Sequence, residues 1–411
     1  MLICVIGAGI VGCASAYQLA REGHEVVLLD AATGPGEGCS FANGGQLSYS
    51  YVEPLATPAT LRTLPKMLLQ RDSPVRLRPT LDWRQYAWGV QFLAACRAAQ
   101  VQTATRQLLV LSFLSRDTLA DWMRDGVWPI SFERNGKLVL CPDDATLQRQ
   151  MQQMRFQATL GCEQQALNVE QCLEKEPALL GAIRRAPKGY VGGIWTPGEC
   201  VADAHAMCRV LVDRLRSRGG ETRFGSRVTG FAFGRRGVHA VQTSEGNLNC
   251  DAVVLATGSE SARLAQQLDE YLPVYPIKGY SLTLPISDAA HVPKVSVTDL
   301  GRKTVFAPLA GELRVAAMAE ICGHDLDVAP ARIEQMRSAV AALYAGSIDA
   351  WGSGRPWSGL RPATPTSLPI VRRSKRHANV YLNVGHGALG LTLAAGSAVL
   401  LHHCVHKSGA A

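Results

Sequence analysis

The glycine series Gly7, Gly9 and Gly12 constrains this chain more than any other stretch. An apolar run, Leu2-Ile3-Cys4-Val5-Ile6, reads as a buried strand that enters Gly7-Ala8-Gly9-Ile10-Val11-Gly12, after which a helix-like segment runs to Gly23. A second buried strand, Val26 to Leu29, ends at Asp30, eighteen residues after Gly12. In a βαβ unit of this kind one glycine makes the tight turn, one lets the backbone approach a pyrophosphate, and one permits close helix packing. The helix N-terminus offers N–H groups and partial positive charge to phosphates. Asp30 is placed to accept hydrogen bonds from a ribose. The stretch predicts a dinucleotide site and leaves the identity of its base open.

At 411 residues the chain exceeds the size at which one core stops growing, so two domains sharing one ligand cleft are expected. The net charge of +8 is spread along the chain, which suits an acidic ligand or a membrane surface. It forms no dense basic tract, and nucleic acid is not an expected partner. The twelve cysteines are scattered singly without a C-x-x-C, a pattern of reduced thiols in a cytoplasm. They also form no set for an iron–sulfur cluster. A first strand starting at Leu2 leaves no room for a Sec-type signal. No uninterrupted apolar run of about 18 residues occurs, so no helix is expected to span a bilayer, and any membrane contact would be peripheral.

After Asp30 and a Gly-Pro loop, the segment Ser40-Phe41-Ala42-Asn43-Gly44-Gly45-Gln46 is dense in small and amide residues. It suits a chain lying against a flat polar ring, or a plain surface turn. Between 54 and 90, Leu61, Leu64, Met67, Leu68 and Leu69 interleave with Arg62, Lys66 and Arg71. This basic amphipathic element either lies on a membrane surface or packs as an ordinary helix. Leu111, Leu114, Leu119 and Trp122 mark one helical face, and Leu147, Met151, Met154 and Ala158 another, with a strand at 136–140 between them. A helix capped by Asp203 runs toward Gly219, a strand passes through Phe224 and Val228, and a hairpin turns at Glu245-Gly246. Val253 to Leu255 is another apolar strand, delivered into Ala256-Thr257-Gly258. Antiparallel strands then follow at 279–283, 304–309 and 313–319. A strand from Val380 to Val384 enters Gly385-His386-Gly387-Ala388-Leu389-Gly390, a second glycine-rich junction opening a helix that includes Thr392.

These segments together resemble the D-amino-acid oxidase superfamily of FAD amine oxidoreductases, most closely the bacterial D-amino-acid dehydrogenase small-subunit group. The resemblance runs from Leu2 through the last helix. It implies an α/β fold: a Rossmann-like FAD-binding domain (1–50, 186–262 and 345–411) with an inserted α+β substrate domain built on an antiparallel sheet (51–185 and 263–344). Gly7 to Gly12 with Asp30 is similar to the ADP site, and Ser40, Asn43, Gly44, Gly45 and Gln46 to the flavin-edge loop. Val228 stands where a backbone contact to adenine is implied, and Ala256, Thr257 and Gly258 at the pyrophosphate. Val274-Tyr275-Pro276-Ile277-Lys278-Gly279-Tyr280-Ser281-Leu282 matches the dehydrogenase group most specifically. Arg361 in Gly359-Leu360-Arg361-Pro362, with Gly385, His386, Gly387, Leu389, Gly390 and Thr392, completes the isoalloxazine end. The family's Thr-Pro-Asp and later glycine are replaced here by Thr366 and Arg372. Relatives with covalent flavin carry a cysteine where this chain has Gly359, which implies non-covalent FAD.

The implied chemistry is oxidative deamination of a D-amino acid, or a cyclic secondary amino acid such as proline or hydroxyproline. Electrons would leave to a quinone, a partner protein or partner subunits; a glycine- or sarcosine-type oxidase releasing peroxide is the alternative, as is a flavin subunit of a multi-chain complex. For the substrate carboxylate Arg361 is the candidate, because a guanidinium is planar, permanently charged and bidentate. An arginine paired with an acid would instead be structural. Tyr280 is a candidate second catalytic residue through its hydroxyl, against simple packing on a strand. His386 between two glycines argues for backbone N–H groups facing the flavin rather than for a general base. His402, His403 and Cys404 lack further ligands, and no metal is expected. A cytoplasmic enzyme, placed at the inner face of the inner membrane if it binds lipid, is the expected setting.

Overall fold

The computed structural model describes residues 1–69, 73–186, 188–235, 237–286, 288, 293–346, 348–349, 352 and 354–409. The opening apolar run is strand β1 (Leu2–Ile6), followed by helix α1 (Ile10–Arg21) and strand β2 (Glu25–Leu29). Then come α2 (Pro58–Leu69), α3 (Trp83–Ala95), α4 (Ala98–Arg124), β3 (Lys137–Cys141), α5 (Asp144–Ala158) and β4 (Gly192–Thr196). Helix α6 (Ala204–Ser217) starts where the Asp203 carboxylate accepts from the N–H of Ala206, and β5 (Glu221–Arg223) and β6 (Ala252–Leu255) follow. The last third holds β7 (Tyr275–Pro285), β8 (Ser296–Asp299), β9 (Thr304–Leu309), β10 (Glu312–Ile321), α7 (Pro330–Tyr344), β11 (Arg355–Ala363), β12 (Ile370–Arg373), β13 (Val380–Val384) and α8 (Gly390–Gly409).

Six strands form the first sheet in the order β5-β2-β1-β6-β13-β12, all parallel except the edge strand β12. Both faces are covered. Ile3, Val5, Val26 and Leu28 pack with α1, α6 and α8, while Cys4, Ile6, Val27 and Leu29 pack under the hairpin that carries Phe231 and Val241. That two-sided burial is why these strands read as unbroken apolar runs.

The second sheet runs β11-β7-β10-β9-β8-β3-β4, with Gln165–Leu167 at its end and Val75–Leu77 paired to β10. It is antiparallel except where β8 meets β3 and where Val75–Leu77 joins. One face, with Leu282, Leu284, Phe306 and Val315, packs on Met336 and Val340 of α7. The other faces the loop after β2, where Arg314 Nη1 donates to the carbonyl of Asn43 at 3.0 Å. A Cβ added at Gly44 would lie 3.3 Å from that of Ala316. The substrate-side sheet is therefore clamped over the cofactor-side loop.

The expected domain limits differ from this arrangement at three places. The resemblance implies residues 186–262 and 345–411 in the first domain, yet β4 and β11 hydrogen-bond within the second sheet. Helix α4, assigned to the insertion, packs on α8, and its Leu119 and Trp122 lie in the first domain's core. Sheet membership follows the hydrogen-bonding partner, which for β11 lies about eighty residues away along the chain; composition does not encode it. The single strand expected through Phe224 and Val228 is two, β5 and Val228–Gly234, in different sheets, broken at Gly225 with φ +75°.

Among the described residues one helical stretch, Gly387–Lys407, has the length and mean hydropathy (1.6) to cross a membrane by composition alone. It is more than half buried, packed between α1 and α4. Its apolar character serves the core. By contrast α2 is exposed at Leu61, Arg62, Thr63, Pro65 and Lys66. The side chains of Met67, Leu68 and Leu69, and Arg71 altogether, lie outside the described residues.

Candidate active site

At the end of β1, Gly7 adopts φ +102°, and a Cβ there would come within 2.5 Å of the Ala256 carbonyl oxygen. A Cβ at Gly12 would strike the Gly7 carbonyl, so β1, β6 and α1 approach more closely than side chains allow. Gly9 sits at the N-cap of α1 with no side-chain cap; instead Ser40 Oγ accepts the N–H of Ile10 at 3.0 Å. The Asp30 carboxylate accepts from the N–H of Ala8 at 2.6 Å and of Ala32 at 2.8 Å. Asp30 thus braces the glycine turn, and each oxygen keeps a lone pair for a ribose hydroxyl. Gly225 and Ser226 donate to the carbonyls of Ala32 and Asp30, which carries the start of the Val228 strand past this carboxylate. Thr257 and Gly258 close the same end: Ser261 Oγ donates to the Gly258 carbonyl and lies 3.2 Å from Thr257 Oγ1. Val11, facing away from the turn, packs against the first core.

The loop from Ser40 continues to the second glycine junction. Asn43 Oδ1 accepts the N–H of Gly45, which has φ +65°. Thr392 Oγ1, in the first turn of α8, accepts the N–H of Ser48. Gly385 and Gly387 have φ +81° and +55°, and buried His386 between them pairs with Ala363 at the end of β11. Leu389 N donates to the His386 carbonyl as the chain turns through Gly390 into α8. Burial holds the His386 imidazole down to about 3, and its Nε2 has no partner among the described residues. A ring that stays neutral at every working pH is a poor base.

Arg361 lies on β11 opposite Ile277 of β7, two residues from the Ala363–His386 pair. Its Nη1 donates to the Met318 carbonyl at 2.8 Å. Met318 has φ +68° and occupies a bulge where the β7–β10 register jumps from Lys278↔Glu320 to Tyr280↔Ala317. The guanidinium is accommodated by Gly279, where a Cβ would collide with Nη2. Among the described residues no carboxylate pairs with Arg361, so the structural acid partner weighed from sequence is not there. Burial lowers its pKa from the usual value, with the Cys39 thiol opposing, but an arginine stays charged.

Tyr280 is a correction. Successive strand residues point to opposite faces, and Tyr280 shares its face with Leu282 and Leu284, in the core under α7. Its hydroxyl donates to Glu320 Oε2 at 3.0 Å, within a buried network that includes Arg332 and Lys278. Arg361 stands on the other face, so Tyr280 packs the core and is not a catalytic residue. Arg372 likewise is committed elsewhere, to Glu270 at 2.8 Å, and Thr366 accepts from the nearby N–H of Leu368. Gly359 lies under the indole of Trp357.

A model of the FAD dependent oxidoreductase family DAO matches residues 3–403. The chain belongs to this family. D-amino acid dehydrogenase 2 of Ralstonia nicotianae is 45% identical over 98% of this chain and 95% of that protein. The Pseudomonas aeruginosa protein of the same name is 43% identical over 97% and 93%. Glycine oxidase from Geobacillus kaustophilus superposes with a TM-score of 0.75 at 20% identity, covering 98% of this chain and 94% of that one. L-proline dehydrogenase from P. horikoshii does so with 0.75 at 16% identity, covering 98% and 93%. These two likenesses establish the fold.

The residues of this flavoenzyme fit FAD. Two glycine junctions open two helices whose starts meet, a Cβ at Gly390 lying 3.9 Å from Ile10, and on the segments around them Gln46 Nε2, His386 Nε2, Ser281 Oγ and Arg314 Nε are buried with no partner among the described residues. Buried polar groups are normally satisfied, and a flat, acceptor-rich cofactor with its substrate supplies what they lack. Gly7 to Gly12, Asp30 and Ala256 to Gly258 would hold the ADP half; Ser40 to Gln46 and Gly385 to Thr392 would hold the ring.

Sequence reasoning missed Arg314, Lys137 and Glu199. Arg314 alternates with Leu313 and Val315, which are core, so period-two parity along β10 places it on the cleft face. Lys137 Nζ donates to Gln46 Oε1 and Ser48 Oγ, and Glu199 accepts the N–H groups of Tyr49, Ser50 and Tyr51. Nothing in the local sequence marks either as buried.

Proposed function

We propose that this flavoenzyme is a dehydrogenase that oxidises D-amino acids, cyclic secondary ones included, to imino acids and passes the electrons to a quinone or a partner protein. The observation that carries the reading is Arg361, a half-buried guanidinium with no acid partner among the described residues, held by a strained carbonyl and a glycine window at the cleft. Such a cation suits a carboxylate, which it binds bidentately. Bound FAD supplies the two-electron acceptor. The protein's part is to fix the carboxylate at Arg361 so that the α-carbon faces the ring, and to exclude water by clamping the second sheet over the loop. His386, held neutral by burial, is a poor base here, and an amine that arrives unprotonated needs none. The printed names of the relatives at 45% and 43% identity support D-amino acids as the class.

A surface suited to a membrane-borne acceptor lies just behind the site. Helix α3 anchors through Trp88, whose indole N–H donates to the Ala363 carbonyl, and exposes Trp83, Tyr86, Val90 and Leu93 along its outer face. With exposed Leu61, Leu77 and Leu81, and with Arg62 and Lys66 on α2, this face fits an anionic bilayer as a peripheral contact. No disulfide joins the cysteines among the described residues, which fits the reducing, cytoplasmic side.

The test is a dye-coupled assay over both enantiomers of the amino acids, proline and hydroxyproline included, followed by mixing substrate-reduced enzyme with air. Turnover restricted to D-enantiomers and cyclic amino acids, with slow reoxidation, is expected. Rapid reoxidation with stoichiometric peroxide would make it an oxidase. No turnover by the isolated chain would leave a subunit that works only in a larger assembly.

A further inference from the structure

Lys137 projects from β3 toward the cleft, since its neighbours Leu138 and Leu140 belong to the opposite core. It is 4% exposed, and its Nζ has three contacts: Gln46 Oε1 at 2.8 Å, Ser48 Oγ at 2.9 Å and the Tyr51 ring face at 4.5 Å. An ammonium donates and never accepts, so the Gln46 atom it touches is the oxygen. The protonated lysine thus orients the amide through the hydrogen-bond network. The nitrogen of Gln46 is therefore turned away from Lys137, and it is buried without a partner among the described residues. A buried donor left unpaired costs about 1–3 kcal/mol. Its acceptor comes with the ligand.

The position of Gln46 says which ligand. It begins the short strand Gln46–Leu47, between Ser40, which takes the first N–H of α1, and Ser48, whose N–H goes to Thr392 at the start of α8. Gln46 thus sits between the two helix starts that converge on the cofactor, below the sheet that carries Lys137. We propose that Lys137 is a positioning residue that locks Gln46 so that its amide nitrogen donates to the flavin ring, favouring the electron-rich, reduced form. Burial pulls the Lys137 ammonium down to about 8, and the charge of Glu199, buried and bonded to three backbone N–H groups of the adjacent segment, opposes that fall. The inference rests on FAD as cofactor and is independent of which substrate is oxidised.

The experiment is the two-electron midpoint potential of the purified holoprotein without substrate, for wild type, Lys137→Met, Lys137→Arg and Gln46→Glu. Gln46→Glu keeps an acceptor for Lys137 and replaces the donor by oxygen, so it tests the amide without emptying the lysine site. Lys137→Met and Gln46→Glu should each shift the reduction equilibrium about tenfold toward oxidised flavin, a fall of ~30 mV. Lys137→Arg should stay near wild type. An FAD-loaded Gln46→Glu enzyme with wild-type potential overturns the proposal. So does an unchanged potential combined with a raised KM, which would assign the amide to the substrate. Loss of FAD from both Lys137→Met and Gln46→Glu with the fold intact would also overturn it, because one missing donor does not abolish retention.

Discussion

Arg361→Ala should cripple catalysis while leaving the cofactor in place. In the proposed complex the substrate carboxylate is the one permanent charge, and Arg361 meets it as a bidentate fork in a site from which water is largely excluded. Truncating one partner of a buried charge pair costs about 3–5 kcal/mol, on the order of a hundredfold to a few thousandfold in kcat/KM. Among the described residues the protein itself loses the bond to the Met318 carbonyl, worth roughly 1 kcal/mol, so stability and FAD content should stay near normal. Arg361→Lys keeps charge without the fork and should fall between wild type and alanine. Gly279→Ala, which pushes a methyl group into the guanidinium, should also lower kcat/KM by displacing rather than removing it. The assay is dye reduction with a D-amino acid and with its carboxamide. Wild type should prefer the acid strongly, and the alanine variant should have lost most of that preference. Wild-type efficiency in Arg361→Ala, or a loss that tracks only with missing FAD, would refute the reasoning.

Four further outcomes follow from named contacts. Asp30→Ala should weaken FAD retention by roughly 1–3 kcal/mol and loosen the glycine turn, read as a higher apparent Kd on reconstitution and a lower apoprotein Tm; unchanged values would remove Asp30 from both roles. Tyr280→Phe should leave kcat/KM within about twofold but lower stability by about 1–3 kcal/mol through the lost bond to Glu320, and a large kinetic loss at unchanged Tm would restore a catalytic tyrosine. Denaturation of the yellow holoprotein should release FAD into the filtrate, since Gly359 offers no thiol; colour left on the polypeptide would contradict this. In flotation with anionic vesicles the protein should rise, and a variant with Trp83, Tyr86 and Val90 changed to serine should not; failure of wild type to float would leave α3 without a bilayer partner.

The βαβ unit was legible because its signals are local. Gly7, Gly9, Gly12 and Asp30 fall within one turn–helix–strand excursion, and strands buried on both faces write themselves as apolar runs. The same holds for β9 and β13, whose limits at Thr304–Leu309 and Val380–Val384 are those the residues predict. What failed was parity and partnership. Strand β7 is buried on both faces along nearly its whole length, so no alternation told Tyr280 from its neighbours Gly279 and Ser281. Because side chains alternate, a one-residue difference decides between the cleft and the core under α7. The β10 bulge that turns the Met318 carbonyl toward Arg361 exists only once β7, β10 and β11 are in register. Lys137 and Glu199 read as ordinary polar residues until β3 and the loop after β2 are brought together from residues about 90 apart. Sequence determined the elements and the glycine-rich strand-to-helix junctions, whose causes lie within a few residues of each other. Tertiary structure decided which face each strand residue serves and which charges are buried, because both depend on pairings between distant segments.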